Sequence, residues 1–305
     1  MENGHTVVRQ LRYLPAVGAA YGVEVLSFAR LRKTDTERRR AQLQRPDFHV
    51  LALITEGSGA HEADFRHHQL HEGSVVWIRP GVVHRWSDVD RLDGFLILFQ
   101  PGFLPDPGLE TVGVAGAVST VCRRLSSESF PLAVLAAEHL DREHRTAAQS
   151  PRLASSALLS HLLAALVLRV LPDTSAPPPH ATATGTGTTT ATSTGNRSLE
   201  IFHAYRTAVE EHFVEWHQVA DYAQEIGYDT RTLTRATRAV TGIGAKAFLD
   251  QRILLEAKRL LAHTGLPVGS CARRLGFRDT GNFTTFFRRQ TGLAPTTWAA
   301  DLQPR

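Results

Sequence analysis

"IGYDTRTLTRATRAVTG", Ile226 to Gly242, is nearly written a second time as "LGFRDTGNFTTFFRRQTG", Leu275 to Gly292. Aligned on their terminal glycines, the two stretches pair Asp229 with Asp279, Leu233 with Phe283, Thr234 with Thr284 and Arg238 with Arg288, and they share a closing Thr-Gly. Upstream, "VADYAQEIGY" from Val219 matches "VGSCARRLGF" from Val268, so Arg278 is the one inserted residue and falls in the turn. Internal repetition is settled first because it dictates the architecture. Each copy reads as a helix, a tight turn and a second helix: Gly227 and Gly276 free the backbone for the turn. Asp229 and Asp279 cap the exposed amides of the second helix, and Gly242 and Gly292 end it. Leu233, Ala236 and Val240 form the buried stripe of one second helix, and Phe283, Phe286 and Phe287 that of the other. This is the grammar of a helix-turn-helix, used twice.

A plain helical bundle with a duplicated hairpin would share that skeleton. The polar faces favour a different reading. Arg231, Arg235 and Arg238 recur at i, i+4 and i+7 opposite the first apolar stripe, with Thr232 and Thr234 beside them. Gly281, Asn282, Thr285, Arg288 and Arg289 hold the matching face of the second copy. Beyond the capping aspartates neither face carries a carboxylate, and arginine, asparagine and threonine are the side chains that meet phosphates and base edges. Between the copies, residues 245–262 read as one helix roughly 27 Å long at 1.5 Å per residue. Such a strut could hold two reading helices about one DNA turn, near 34 Å, apart.

The 305-residue chain has 42% hydrophobic and 21% charged residues, which is a soluble globular composition. A net charge of +4 with a pI of about 9.4 permits a polyanionic partner without requiring one. Cys122 and Cys271 are too few and too far apart for a disulfide framework or zinc knuckle. The N-terminus lacks an apolar secretion signal, and the longest apolar run, "LASSALLSHLLAALVLRVLP", is interrupted by His161 and Arg169. A cytoplasmic protein outside any membrane is expected. "PDTSAPPPHATATGTGTTTATSTGNRS", 172–198, cannot repay its ordering entropy and reads as a flexible linker. Before it, "FHVLALIT", "SVVWIRP" and "GFLILFQ" are short strands punctuated by glycine turns, suited to a sandwich or closed barrel. Two amphipathic helices follow. The expected division is 1–130, 131–171, the linker and 199–305.

Residues 199–305 resemble the DNA-binding domain of the AraC/XylS family of transcriptional regulators. The family pattern's second half is met by "LGFRDTGNFTTFFRRQTGLAPTTW". The resemblance implies double-stranded promoter or operator DNA as partner, with Arg231, Thr234 and Arg235 entering one groove and Gly281, Asn282 and Thr285 the next. Thr285 departs from the family, which often has arginine there, and Gly281 offers no side chain. "HVLALITEGSGAHEADFRHHQLHEGSVVWIRPGVVHRW" resembles the cupin-like effector domain of the same family, through Gly73 and "RPGVVH" ending at His84. The resemblance implies a small-molecule effector in a cupin-like β-barrel, with His49, Trp77, His84 and Trp86 as candidate lining residues. Alternation alone leaves open which strand face points inward.

His61, His67, His68, His71 and His84 crowd this region, yet the His-x-His pair and carboxylate of cupin enzymes are missing. No metal, cofactor or catalytic residue is therefore expected. The helix within 153–171 has more apolar surface than one flank needs, and the resemblance points to a homodimer. RNA polymerase is a further partner such a regulator would meet. The basic run "ARLRKTDTERRR", 29–40, reads as a solvated loop or edge rather than a second nucleic-acid site. Two other functions compete: a DNA-binding protein whose barrel only dimerises, and a metal-dependent cupin enzyme with a fused helical module.

Overall fold

A computed structural model of the chain describes residues 8–14, 21–35, 39–106, 109, 120–150, 155–171 and 190–302. The described residues fall into two compact units, one up to 171 and the other from 190 onward. In the first unit, one sheet has the order β1 (Arg9–Leu11), β3 (Gln44–Pro46), β8 (His84–Asp88), β5 (Ser58–Ala63), β6 (Arg66–His71). The other runs β10 (Thr120–Arg124), β7 (Ser74–Ile78), β4 (His49–Glu56), β9 (Asp93–Phe99), β2 (Val23–Ser27). All ladders are antiparallel except β1 on β3.

The second sheet explains its own sequence. Alternate residues of β4 and β7 face two different cores, so both faces are buried and the strands read as unbroken apolar runs. Val50, Ala52, Ile54, Val76 and Ile78 meet Ala63, Leu70 and Trp86 of the first sheet and Phe28 of α1 (Phe28–Thr34). Leu51, Leu53, Val75 and Trp77 turn the other way, onto α2 (Ser129–Gln149) and α3 (Ser155–Val170) through Ala133, Leu140, Leu159 and Leu163. The first sheet, by contrast, alternates along β5 between more buried and more open positions.

The expected β-barrel is thus corrected in one respect. Closure needs an unbroken ring of strand pairing, whereas β1, β6, β10 and β2 are edges, each paired on one side only among the described residues. The two sheets meet through interlocking side chains, in the manner of a sandwich. The basic run is corrected too. Its described residues fall in α1 and at the start of a short 3-10 turn, Arg39–Ala41, in which Arg40 is buried against Asp35 at 3.3 Å and Asp90 at 2.8 Å.

The second unit is helical: α4 (Thr190–His212), α5 (Val219–Glu225), α6 (Thr230–Thr241), α7 (Ala245–His263), α8 (Val268–Arg274), α9 (Thr280–Thr291) and α10 (Pro295–Asp301). The expected linker lies outside the described residues up to 189. Its last part, Thr190 to Ser198, is already helix. Once Ile201, Phe202 and Tyr205 are buried, each residue added upstream gains a backbone hydrogen bond without a new nucleation cost. The predicted strut 245–262 is α7, but it is no bare strut. Phe248, Leu249, Ile253, Ala257 and Leu260 make it the centre of the helical core, shared by both copies of the repeat.

The two turns of the repeat differ in how tightly they are held. Gly227 and Gly276 have φ of +74° and +73°. A Cβ at Gly227 would meet nothing within 4 Å, whereas one at Gly276 would lie 1.8 Å from the Val214 carbonyl oxygen. Gly227→Ala is therefore expected to cost only the backbone strain, about 1 kcal/mol. Gly276→Ala should cost about 1–3 kcal/mol more, because the turn must move off the 213–217 segment. Denaturant melts followed by far-UV circular dichroism check this, and equal losses would show that the close approach is not a real constraint.

Candidate nucleic-acid interface

The second helix of each copy is fixed at both ends by the same hydrogen bonds. Asp229 accepts from the Thr232 amide and hydroxyl, both at 2.7 Å. Asp279 accepts from the Asn282 amide N–H and side-chain Nδ2, also at 2.7 Å. The Asp229 carboxyl is held below the usual carboxylate range, chiefly by the Thr232 amide and then its hydroxyl. This cap accordingly contributes stability above the ordinary carboxylate range and loses it as pH falls through the lowered value. At the other end Gly242 and Gly292 take left-handed φ of +78° and +79°. The residues that follow, Ile243 and Leu293, donate their amides to Thr241 Oγ1 and Thr291 Oγ1 at 3.3 and 3.2 Å. The repeated Thr-Gly is thus a two-residue stop: the hydroxyl accepts and the glycine reverses the chain.

The buried stripes are as read, with Leu233 and Ala236 inside one copy and Phe283, Phe286 and Phe287 inside the other. Val240 is only half-buried, and Thr237, unremarked in the sequence, is fully buried with its hydroxyl donated to the Leu233 carbonyl at 2.8 Å. The opposite face of α6 exposes Arg231, Arg235 and Arg238, and none of them forms an ion pair among the described residues. Thr234 beside them is half-buried. Thr232 is spent on the cap. On α9, Gly281, Asn282, Thr285, Arg288 and Arg289 are all exposed, but Asn282 is held by Asp279, and Arg289 reaches Asp250 of α7 at 3.4 Å.

Asp250 is a buried junction between the copies. It accepts from Lys246 Nζ at 2.7 Å, and from Arg289 and Gln290 of α9 at 3.4 and 3.3 Å. Lys246 in turn donates to the His217 carbonyl at 3.0 Å. The His217 ring packs on Phe277, 4.7 Å between centroids, and burial lowers its pKa, so it packs there uncharged. Farther along α7, Arg252 lies over Phe213 and bonds Glu210 at 2.9 Å, while Arg252 and Arg259 share Glu256 at 3.4 and 3.1 Å. The charges of α7 are paired across the core, which is why that helix can be buried despite its sequence. Sequence reasoning missed three exposed arginines beside α9: Arg273 and Arg274 on α8 and Arg278 in the turn. The signal was in the repeat, where α5 carries Gln224 and Glu225 at the positions of Arg273 and Arg274.

In the first unit the four candidate ligand residues do not share a cavity. His49 and Trp77 lie on the helix-facing side of the second sheet, with Trp77 Nε1 donating to His49 Nδ1 at 3.2 Å and His49 stacked on Phe99. His84 and Trp86 lie between the sheets. His84 Nδ1 is 3.2 Å from His61 Nε2, and Trp86 is packed on the His61 ring. Burial pushes the His84 pKa down to about 3 and that of His61 well below its ordinary value, so the pair is neutral at neutral pH. Neither chain parity nor composition separates these two pairs, because β4 and β7 are buried on both faces. Of the four residues, Trp86 lines a cavity of about 490 Å³, together with Arg9, Leu11, Asp35, Arg39 and Gln44. His67 and His71 are exposed on β6, and no group of three metal-ligating side chains is assembled among the described residues.

Comparison with known proteins agrees with both units. Residues 222–301 match a family model described as a helix-turn-helix domain, and residues 25–167 match one described as an AraC-like ligand binding domain. The chain is similar to the HTH-type transcriptional activator RhaR of Enterobacter sp. (strain 638), 26% identical over 255 residues that span 83% of this chain and 84% of RhaR. It is also similar to the activator RhaS of Escherichia coli (strain K12 / DH10B), 36% identical over 90 residues, 28% of this chain and 31% of RhaS. The DNA-binding domain of AdpA, solved with a target DNA, is 31% identical, with 33% of this chain and 90% of that one covered and a TM-score of 0.30. No described helix is long and apolar enough to cross a membrane. With a ligand-binding domain of AraC type followed by a doubled helix-turn-helix, the chain belongs to the AraC family of DNA-binding transcriptional regulators.

Proposed function

We propose that the chain is a cytoplasmic, homodimeric regulator that binds operator DNA through α6 and α9 and responds to a small molecule held by its β-rich unit. One observation carries the reading: two alike helix pairs share a buried central helix, and the first of them exposes three arginines without ion-pair partners among the described residues. Arginine binds the O6 and N7 of guanine through two parallel hydrogen bonds. Arg231 and Arg235 stand early on α6, where base edges are reached. Arg238 and Arg288, late on their helices, suit flanking phosphates. RNA polymerase is the partner through which such binding would alter transcription.

The cavity beside Trp86 is the proposed effector site. It sets the Trp86 ring, Leu11 and Leu31 beside a mainly polar lining of arginine, aspartate, threonine and glutamine side chains, which suits a small polar ligand that hydrogen-bonds and stacks. The trait against the cupin-enzyme reading is the histidine arrangement: His61 and His84 are buried and paired with each other, and the nearby His67 and His71 point to solvent. The dimer is proposed on α2 and α3. Each buries one stripe on the sheet and leaves large apolar side chains outside: Leu132 and Leu135 on α2, Leu158 and Leu168 on α3. On α3, Leu158, His161, Ala165 and Leu168 follow one another at three- and four-residue intervals along the exposed side, the spacing of a helix seam.

Two experiments test this reading. Arg235→Ala is expected to remove about 1–3 kcal/mol of discrimination between a selected site and random duplex, with the melting temperature unchanged because the side chain is exposed. Binding to both duplexes as wild type does would show that Arg235 reads no base. For the dimer, Leu135 and Leu168 are 63% and 62% exposed, so their joint change to glutamate should spare the fold. Sedimentation is expected to show a wild-type dimer and a monomeric double variant; a monomeric wild type would contradict the proposed seam.

A further inference from the structure

The two helix-turn-helix units are alike in backbone and opposite in the placement of their charge. On the reading face, Arg231 and Arg235 of α6 correspond to Gly281 and Thr285 of α9; only the last arginine, Arg238, is kept, as Arg288. Of the remaining polar side chains on α9, Asn282 is committed to Asp279 and Arg289 to Asp250. The second reading helix therefore brings neither a long side chain nor a free amide to the positions that face base edges.

The positive charge missing from that face stands beside it. On α5 the exposed polar residues are Asp221, Gln224 and Glu225; the matching residues on α8 are Ser270, Arg273 and Arg274, and the turn adds Arg278. Two acids are thus replaced by a serine and an arginine, and a third arginine is inserted. Arg273 is oriented toward the start of α9. Its Nη2 donates to Ser270 Oγ at 3.0 Å, and its Nη1 would lie 3.9 Å from a Cβ built on Gly269, whose other neighbour is Thr280 Oγ1. Gly269, which replaces Ala220, lets α8 and α9 approach at that point. When a helix of this motif lies in the major groove, its partner helix crosses the phosphate backbone. Arg273, Arg274 and Arg278 are placed for that crossing, whereas the acids of α5 would repel it.

We infer that the two units divide the work: the first reads bases through α6, and the second grips the sugar-phosphate backbone through Arg273, Arg274, Arg278 and Arg288 with no base preference. This rests on the DNA-binding reading above. It assigns affinity and salt dependence largely to one unit and sequence preference to the other.

The test is in vitro selection by the full-length chain from a random duplex library, followed by footprinting and titration of a selected duplex. The expected result is a single sequence word per protomer, in one copy or repeated by the dimer, inside a protected region that extends a further turn without base preference. Arg273→Ala with Arg274→Ala should leave the selected word unchanged and weaken binding to the selected and random duplexes by the same factor. The slope of log affinity against log salt should shrink by roughly 1.8, at about 0.9 for each phosphate no longer neutralised. Lysine at both positions should restore most of that binding. Two different words about one helical turn apart would overturn the division of labour, as would a double-alanine variant that loses the selected site and keeps random DNA. A wild-type chain that enriches no sequence would overturn the DNA-reading proposal itself, and this inference with it.

Discussion

Everything the helical unit can do depends on α7 being buried. A helix that joins two helix-turn-helix units through solvent would let each find its own groove. Here α7 contributes Phe248, Leu249, Ile253 and Leu260 to one core in which Leu233 of the first copy and Phe283 of the second also lie. Asp250 ties the start of α7 to α9, and the Gly276 turn rests on Val214 with no room for a methyl group between them. The two reading helices are therefore parts of one body, and a shift in either must be felt by the other.

That body frees the surface to vary. The elements that set backbone position are repeated almost without change: the aspartate cap, the turn glycine, the Thr-Gly stop. The exposed positions are not. Arginines stand on the reading face in one copy and around its rim in the other. In the β-rich unit the same separation holds in another form. The second sheet is a septum with an apolar core on each side, and beside Trp86 a cavity lined largely by charged and polar side chains opens between the first sheet and α1. A ligand there would touch α1, the 3-10 turn and β1, elements of the first sheet's side, and not the helices proposed to dimerise.

The repeat was legible because its constraints are local. A cap needs an aspartate within three residues of the amide it satisfies, and a left-handed stop needs a glycine at one position. Other features were not legible, for physical reasons. Arg252, Glu256 and Arg259 look like a solvated face in sequence, since nothing local shows that Glu210 and Phe213, from far up the chain, will cover Arg252. His49 and Trp77 look equivalent to His84 and Trp86, because β4 and β7, buried on both sides, lose the alternation that β8 keeps. Barrel closure depends on pairing between edges far apart in the chain, and no short stretch encodes it. The end of the linker was misplaced because the polar residues from Thr190 to Ser198 take their helicity from the apolar residues downstream, beginning with Ile201.

The central claim is that the two helix-turn-helix units form one cooperative body around α7. Native-state hydrogen exchange of the full chain in increasing denaturant measures this directly. The most protected amides of α6, α7 and α9 are expected to exchange through one common opening, with the same free energy and the same denaturant dependence. If α8 and α9 lost protection at lower denaturant while α6 and α7 stayed closed, the units would be independent, and the shared core would not be what positions the reading helices.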